Sequence, residues 1–346
     1  MRLSYAEAMA RAVREVMTED HRAFLIGNSF AGVSLTGRAA FGSLVQDFAD
    51  RVVSTAVAEL GLAGAATGAA LAGCRPLVDL GAGSFSLHAW AQLVNEAPNI
   101  HYMSGGQAHA PVTFYCLIGI RGAGGSQHSH RTQAMLGNIP GLQLLLPATP
   151  GDAYQMLKWA LQESLSPTVY LSHALLLDDV EDVDLDARPL PVGKARVARE
   201  GRDVTVVAHS VMVRTALAAA DLLAREHDVA AEVVDMRTLS PLDRETMIAS
   251  VVKTGRAVIA DECNLSFGAG AELAATLAQD AFHALKAPVY RVATPDVPIP
   301  YSPPLESALV VTAEKIAHAV VTTIGHSLRL KHQIEKTGTR HATDYN

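Results

Sequence analysis

The sequence predicts an α/β protein of two domains, a larger parallel-sheet domain followed by a smaller α/β domain. Apolar runs of strand length alternate with stretches of helix length along most of the chain. An acidic, proline-containing segment interrupts this alternation near its middle, and the alternation then resumes. Strands that alternate with helices in this way are typical of a parallel sheet covered on both faces. A chain of 346 residues is long enough for two such domains.

The elements of the first domain follow one another in a regular order. Residues 5–16 predict an amphipathic helix, and residues 58–73 predict a helix rich in glycine and alanine. A third helix is expected to begin near Gly151 and Asp152. Short apolar runs predict buried strands, at 23–27, 77–80, 112–118, 142–146 and 168–171.

Residues 178–191, with the sequence DDVEDVDLDARPLP, mark the boundary between the domains. They are acidic, contain two prolines and show no apolar period. We therefore predict domains at 1–186 and 187–326, followed by a polar tail at 327–346. In the second domain, strands are predicted at 204–208, 231–234 and 257–260, and helices at 213–225 and 243–253.

The composition limits the classes of function that we expect for this chain. Hydrophobic residues make up 49% of the chain and charged residues 18%, against about a quarter charged in typical soluble proteins. No run reaches the roughly 18 apolar residues of a spanning helix, so we do not expect the chain to span a membrane. We attribute the high share of hydrophobic residues to a large subunit interface. The net charge of −7 gives no broad electrostatic surface for nucleic acid.

The cysteines and the N-terminal residues favour a cytoplasmic protein. Cys74, Cys116 and Cys263 lie far apart and form no CxxC pair, which argues against disulfides and a cysteine zinc site. The first residues have neither an apolar signal core nor the arginine-rich composition of a transit peptide.

Glu59 is the first candidate for chemistry. It lies in the segment TAVAELGLAG, among apolar side chains. If Val57, Leu60 and Leu62 desolvated the carboxylate, its protonated form would be favoured and it could share a proton with a ring nitrogen. The alternative is a glutamate at a helix N-terminus, stabilised there by the helix dipole. The local sequence alone favours this alternative.

Two glycine-rich segments are the next candidates. Small residues three and four apart, at Gly61, Gly64 and Gly68, predict a flat helix face suited to a close helix crossing in a core or subunit interface.

The segment RGAGGSQHSH, residues 121–130, directly follows a predicted strand, where ligands of open α/β sheets bind. His128 and His130 in that loop could transfer protons, since histidine titrates near neutrality. A zinc site lacks partners at ligand spacing, and a solvated loop is the alternative.

GSFSLH, residues 83–88, also follows a predicted strand. Phe85 could stack on a heteroaromatic ring or pack in the core, and the local sequence favours the core.

Two other motifs are incomplete or absent. Gly268-Ala269-Gly270 lacks the third glycine of a dinucleotide fingerprint. No GxSxG segment exists, which argues against a serine hydrolase of that type.

Taken together, these segments resemble the beta subunit of the decarboxylating component of 2-oxoacid dehydrogenase complexes. That family includes pyruvate, branched-chain 2-oxoacid and acetoin dehydrogenases of the transketolase-like superfamily. The resemblance extends from Leu3 to about Val321, and its most specific stretches are NEA at 95–97, YMSGGQ at 102–107, QHS at 127–129, DMRTLSPLD at 235–243 and PDVPIPYSPPLE at 295–306. It implies a pyrimidine-binding transketolase-like domain followed by a transketolase C-terminal domain.

The resemblance also implies roles for individual residues. Glu59 matches the glutamate that hydrogen-bonds the aminopyrimidine of thiamine diphosphate, with Val57 beside it, and Phe85 matches the residue that packs on that ring. His128 matches the active-site histidine near the substrate and the acyl acceptor. His88 lies where relatives place a polar or aromatic side chain, toward cofactor and substrate. His130 has no counterpart in the usual pattern and is expected on the substrate or acceptor side.

The family's diphosphate and magnesium are held by a Gly-Asp-Gly motif, which this sequence lacks. The resemblance therefore implies a separate alpha chain that holds both, in a heterotetramer of two alpha and two beta chains, with no metal held by this chain itself. Residues near the family's potassium site appear here as QESLS at 162–166, which leaves potassium open. The glycine-rich helix at 61–73 matches the family's subunit contact.

Three functions are compatible with the sequence. The leading one is decarboxylation of a 2-oxoacid and transfer of the acyl group to a lipoyl acyltransferase or other carrier. A second keeps the cofactor but performs carboligation, or acyl transfer to a phosphopantetheine carrier protein. A third is a scaffold that stabilises the alpha chain without catalysis, against which the retention of Glu59, Phe85 and His128 argues.

Overall fold

The computed structural model describes residues 1–28, 35 and 38–325. In these ranges the strands are β1 Arg2–Ser4, β2 Ala23–Asn28, β3 Val52–Thr55, β4 Arg75–Ala82, β5 Thr113–Ile118, β6 Gln143–Leu145, β7 Thr168–His173, β8 Val180–Asp182, β9 Arg196–Arg199, β10 Val204–Ala208, β11 Ala231–Asp235, β12 Thr238–Ser240, β13 Ala257–Asn264 and β14 Tyr290–Thr294. The helices are α1 Tyr5–Glu19, α2 Ala39–Asp47, α3 Glu59–Leu71, α4 Ile100–Met103, α5 Gly125–His128, α6 Gln133–Gly137, α7 Pro150–Gln162, α8 Val211–His227, α9 Arg244–Thr254, α10 Ala269–Asp280, α11 Pro303–Leu309 and α12 at 313–325.

The first helix shows how local sequence sets an element's start. Ser4 caps α1 by accepting the N–H of Glu7, and the Glu7 carboxylate accepts the N–H of Ser4 in return. This reciprocal capping box satisfies donors that a helix N-terminus otherwise leaves free. The predicted helix at 5–16 is therefore present and one turn longer than expected.

The first sheet has seven strands in the order β12-β6-β7-β5-β4-β2-β3. The strands β6, β7, β5, β4, β2 and β3 run parallel, as predicted. Apolar side chains bury both faces, with α1 and α7 on one side and α3 on the other. β12 pairs antiparallel with β6 although it comes from the second half of the chain, a pairing that the sequence did not predict.

The second sheet has five strands in the order β14-β13-β10-β11-β9. Its strands β14, β13, β10 and β11 are parallel, and β9 joins the edge antiparallel. One core cluster continues from the first sheet through α1 and α7 to α8 and β10, while α9 and α10 cover the other face of the second sheet. The two domains therefore share a packed interior.

Arg237, in the motif DMRTLSPLD, ties the two domains together. Its side chain is fully buried, and its Nε donates to Asp152 of α7 at 2.9 Å. Further bonds run from its guanidinium to the main-chain carbonyls of Pro191 and Lys194, in the connection between the domains. A buried charge is tolerated when it is paired and hydrogen-bonded, as here. The motif thus has a structural role at the domain boundary.

The last described segment, Pro303–Gly325, is long and apolar enough to cross a membrane by length and composition. Length and composition alone do not separate a spanning helix from the core helix of a globular domain. Here residues 310–312 interrupt the segment between α11 and α12, and one face enters the shared core through Val311, Ile316, Ala317, Ala319 and Val320. The predicted tail from residue 327 lies outside the described residues.

Candidate active site

The predicted site residues meet where β4, β5 and the N-terminus of α3 come together. β4 ends at Ala82 and continues into a 3₁₀ turn, Gly83–Leu87, that presents Phe85. β5 ends at Ile118 and leads into the loop 119–131, which carries His128 at the end of α5. The carboxyl ends of neighbouring parallel strands share one edge of the sheet, which is where α/β folds bind ligands.

Glu59 is both a helix N-terminal residue and a buried one. It opens α3 and is 4% exposed. The two interpretations drawn from the sequence are therefore compatible. The expected cause of its burial was partly wrong, because Val57 and Leu60 are each 49% exposed and only Leu62 is buried. Val57 precedes the helix and Leu60 lies in its first turn, and both are half exposed, whereas Leu62 is buried in the core. The local apolar pattern did not reveal this difference.

Four predicted side chains form a continuous row. His88 Nδ1 lies 3.5 Å from Glu59 Oε2, although the His88 side chain is 69% exposed. The rings of Phe85 and His88 are stacked with centroids 6.3 Å apart, and the Phe85 and His128 rings meet edge to face at 5.5 Å. The row runs from a buried carboxylate past two rings to a half-buried histidine.

A cleft opens beside His128. It is lined by residues 124–128 and by Pro298, Ile299, Pro300 and Tyr301 of the second domain. The motif PDVPIPYSPPLE therefore lies against the histidine loop. His130 lines a neighbouring cleft with Arg131 and Phe267. Partial desolvation of its ring, and then the positive charge of Arg131, lower the pKa of His130 below the ordinary histidine value.

The environment of Glu59 fits a bound heteroaromatic ring with a hydrogen-bond donor. Among the described residues, the carboxylate accepts no hydrogen bond of good geometry, and the His88 ring is the polar group that lies beside it. Burying a carboxylate without a donor is costly. A ring nitrogen that donates to Glu59 while the ring packs on Phe85 would satisfy both side chains.

Within residues 1–28, 35 and 38–325, the side chains offer little support for a metal site. No group of three or more His, Cys, Asp or Glu side chains in these ranges could hold a metal ion. At the loop 162–166, the Ser164 carbonyl accepts a hydrogen bond from Nη1 of Arg75, and the Ser166 carbonyl accepts from the hydroxyls of Ser164 and Thr168. Each of these two carbonyl oxygens has a protein donor within hydrogen-bond distance.

Three residues that contact or support the His128 loop were missed from the sequence. Glu306 of α11 accepts the N–H of Gly122 at 2.7 Å, and Glu262 of β13 and His173 of β7 meet beneath the loop. Each lies more than 40 residues from His128, and no local pattern signals such a contact. The motif that contains Glu306 was recognised, but its contact with the loop was not.

Two family models match the chain, at residues 1–178 for the transketolase pyrimidine-binding domain and at residues 193–316 for the transketolase C-terminal domain. The predicted fold class is therefore confirmed. The predicted boundary between residues 186 and 187 falls in the interval between the two matches and stays a prediction.

The curated relatives include beta subunits of two related enzymes. The chain is 36% identical over 320 residues to the pyruvate dehydrogenase E1 component subunit beta of Rickettsia bellii, with 92% of this chain and 98% of that protein covered. It is 35% identical over 332 residues to the acetoin:2,6-dichlorophenolindophenol oxidoreductase subunit beta of Cupriavidus necator, with 93% and 98% covered. These relatives do not favour the carboligase or scaffold alternatives.

A solved structure described as a split gene transketolase, inactive beta4 tetramer, has the same architecture. It superposes with a TM-score of 0.76 at 26% sequence identity, covering 94% of this chain and 99% of that one. The structural likeness extends over both domains.

Proposed function

The chain belongs to the family of beta subunits of thiamine-diphosphate-dependent 2-oxoacid dehydrogenases, and from that premise we propose how its own residues serve the reaction. With an alpha chain, it decarboxylates a 2-oxoacid and passes the acyl group to a lipoyl-bearing or other carrier. The observation that carries the proposal is the row from buried Glu59 past Phe85 to His128 at the carboxyl edge of the first sheet.

When bound, thiamine diphosphate supplies the nucleophilic carbon and the electron sink that decarboxylation of a 2-oxoacid needs. Glu59 holds and moves a proton at the ring nitrogen of the aminopyrimidine, since it is buried and lacks another donor among the described residues. Phe85 orients that ring by packing on its face. His88 lies beside Glu59, while Val57, which is 49% exposed, stays a predicted cofactor contact.

His128 faces the open side of the row and acts on the substrate or the acyl acceptor. It stands at a cleft that a small 2-oxoacid or a carrier arm can enter. His130, two residues further on, lines the neighbouring cleft and helps select the substrate or acceptor. A lowered pKa keeps its ring neutral at neutral pH, so that it can accept or donate a hydrogen bond there.

The alpha chain supplies what this chain lacks. A partner with the Gly-Asp-Gly motif holds the diphosphate and magnesium, in a heterotetramer of two alpha and two beta chains. The acyl group then goes to a lipoyl acyltransferase or an acyl carrier protein. A cytoplasmic location fits the free cysteines Cys74, Cys116 and Cys263.

The test is reconstitution with an alpha-type chain that carries Gly-Asp-Gly and is encoded nearby. The complex is assayed for decarboxylation of a panel of 2-oxoacids with 2,6-dichlorophenolindophenol as the electron acceptor. We expect cofactor-dependent turnover with at least one 2-oxoacid in the complex and none with either chain alone. A correctly assembled, cofactor-loaded complex without decarboxylation of any 2-oxoacid would contradict the proposal.

A further inference from the structure

Glu262 reaches the loop that carries His128 from the opposite domain. It lies near the end of β13 and is 4% exposed. Its Oε2 accepts the main-chain N–H of Ile120 at 3.2 Å, and its main-chain carbonyl accepts Nε of Arg131 at 3.0 Å. Ile120 and Arg131 stand at the two ends of the loop, so a single residue of the second domain holds both ends.

His173 completes this contact, and its proton can be assigned. The N–H of Leu175, which can only donate, lies 3.1 Å from Nδ1 of His173. Nδ1 is therefore the acceptor, and the proton of the neutral ring is on Nε2, which faces Glu262 Oε2 at 3.0 Å. One carboxylate oxygen thus receives two N–H donors in a buried place, which fixes its position.

Gly119 brings the loop and the imidazole of His173 together. Its φ is +100°, and a Cβ built on it would lie 1.8 Å from Nε2 of His173. A larger residue at this position would therefore displace the ring. The N–H of Gly119 also points to the carbonyl of His130 at 3.5 Å and closes the base of the loop. The His173–Glu262 pair therefore packs against the base of the loop and supports it.

We propose that Glu262 and His173 are positioning residues, through which the second domain sets the place of His128 in the active site. The inference rests on the proposed function, in which His128 faces the substrate or acceptor. A loop anchored at both ends by one buried residue, at Ile120 through its side chain and at Arg131 through its main-chain carbonyl, has little freedom to shift. Displacement of a reacting group by about 1 Å can cost about 10²-fold in rate.

The first test compares Glu262 variants in the complex with the alpha chain. Glu262→Ala removes the acceptor from two buried donors, and Glu262→Asp withdraws it by one methylene while keeping the charge. We expect each to lower full acyl transfer by about 10²-fold. Glu262→Gln, whose amide oxygen can still accept from His173 and Ile120, should retain most of the rate. Glu272→Gln, exposed on α10, is the matched control.

Hydrogen exchange gives a measurement that does not depend on activity. In Glu262→Ala and Glu262→Asp, amides of residues 119–131 should exchange faster than in the wild type, while those of α1 should not change. If Glu262→Ala does not assemble, the aspartate variant still provides the comparison. Unchanged exchange in this loop in both variants would overturn the inference.

The third measurement is a double-mutant cycle with His128→Ala. If Glu262 acts through His128, adding Glu262→Asp to His128→Ala should change the rate by less than about twofold, because the effects of coupled residues are not additive. Multiplied losses would mean that Glu262 acts elsewhere, and would overturn the inference while leaving the proposed role of His128 intact. A His128→Ala enzyme with normal transfer would instead remove His128 from the proposed function, whatever the Glu262 variants do.

Discussion

At the scale of single residues, Glu59 combines two environments, a helix N-terminus and a buried site. It sits at the first position of α3, near the positive end of the helix dipole, and its side chain is buried. In the proposed function, the carboxylate at this position exchanges a proton with a ring nitrogen of the cofactor. The chemistry expected of Glu59 therefore follows from its position in the fold as well as from its side chain.

Replacing Glu59 with Gln should reduce turnover by about 10²–10⁴-fold while leaving assembly intact. The amide still forms a hydrogen bond but cannot move the proton. Turnover is measured with the artificial acceptor and assembly by light scattering on a size-exclusion column, with Glu272→Gln as the control. A variant of near-normal rate in the assembled complex would remove Glu59 from the mechanism.

His128 and His130 should differ in which step they affect. His128→Ala should lower full acyl transfer far more than cofactor affinity, since its ring meets Phe85 and faces the cleft. His130→Ala should alter the preference for substrate or acceptor and leave cofactor activation near normal. Cofactor affinity, decarboxylation and full transfer are measured for both variants. Loss of cofactor affinity with either change would show that the loop has another role.

The residues of this site were predictable to different degrees, for a physical reason. Glu59, Phe85 and His128 lie in short segments whose pattern resembles a known family. Glu262 and His173 act through contacts between strand ends that are 89 positions apart, and only the sheet order brings them together. The local sequence also could not tell that Val57, before α3, and Leu60, in its first turn, are half exposed, because their exposure depends on how α3 packs in the fold.

At the scale of elements, α3 has one face that nothing in the described chain covers. Gly61, Ala65, Gly68 and Ala72 are exposed along it, and a Cβ added at Gly68 would meet no atom within 4 Å. The opposite face packs into the core through Leu62, Ala63, Ala66 and Ala70. A small-residue face of this kind allows the close approach of another helix.

Gly68→Leu should therefore block assembly with little effect on the fold of the chain. The new side chain meets open space in the single chain but would enter a close helix crossing in the complex. Thermal unfolding of the isolated chain and size-exclusion light scattering of the complex are the two measurements. Gly42→Leu, in α2, also meets no atom within 4 Å and is the matched control. Normal assembly of the Gly68 variant would place the subunit contact elsewhere.

The elements that were predicted correctly are those in which apolar residues recur at a regular spacing or form a continuous run. Most predicted strands and helices are present within a few residues, since buried parallel strands have continuous apolar runs. The edge strands β3, β8, β9, β12 and β14 were missed because they are short or only partly buried. The pairing of β12 with β6 is a contact between domains, which no local period predicts.

At the scale of the whole molecule, the joint between the domains depends on Arg237. Arg237→Met should lower the free energy of unfolding by about 3–5 kcal/mol, because it leaves buried acceptors without their charged donor. Urea unfolding measures the change. Arg196→Met, which removes a partly exposed partner of the same Asp152, should cost less. Equal losses for the two variants would mean that burial of Arg237 contributes nothing of its own.

In the proposed function, the whole chain holds half of an active site, and this leads to a prediction about cofactor binding. Glu59 and Phe85 are proposed to engage the aminopyrimidine ring, but the sequence has no Gly-Asp-Gly motif of the kind expected to hold the diphosphate and magnesium. Much of the binding free energy of a doubly charged diphosphate comes from such charge-assisted contacts. The row of site residues is also open to solvent at His88, whose side chain is 69% exposed.

We therefore expect calorimetric titration of the isolated chain with thiamine diphosphate and magnesium to detect no binding at micromolar concentrations. The complex with the alpha chain, titrated under the same conditions, should bind, because the second chain supplies the diphosphate contacts and excludes water from the ring. Glu59→Gln in the complex should weaken that binding only modestly, since the amide keeps one hydrogen bond. Micromolar or tighter affinity for the isolated chain would contradict the two-chain site, because this chain would then hold the diphosphate by residues outside the proposed row.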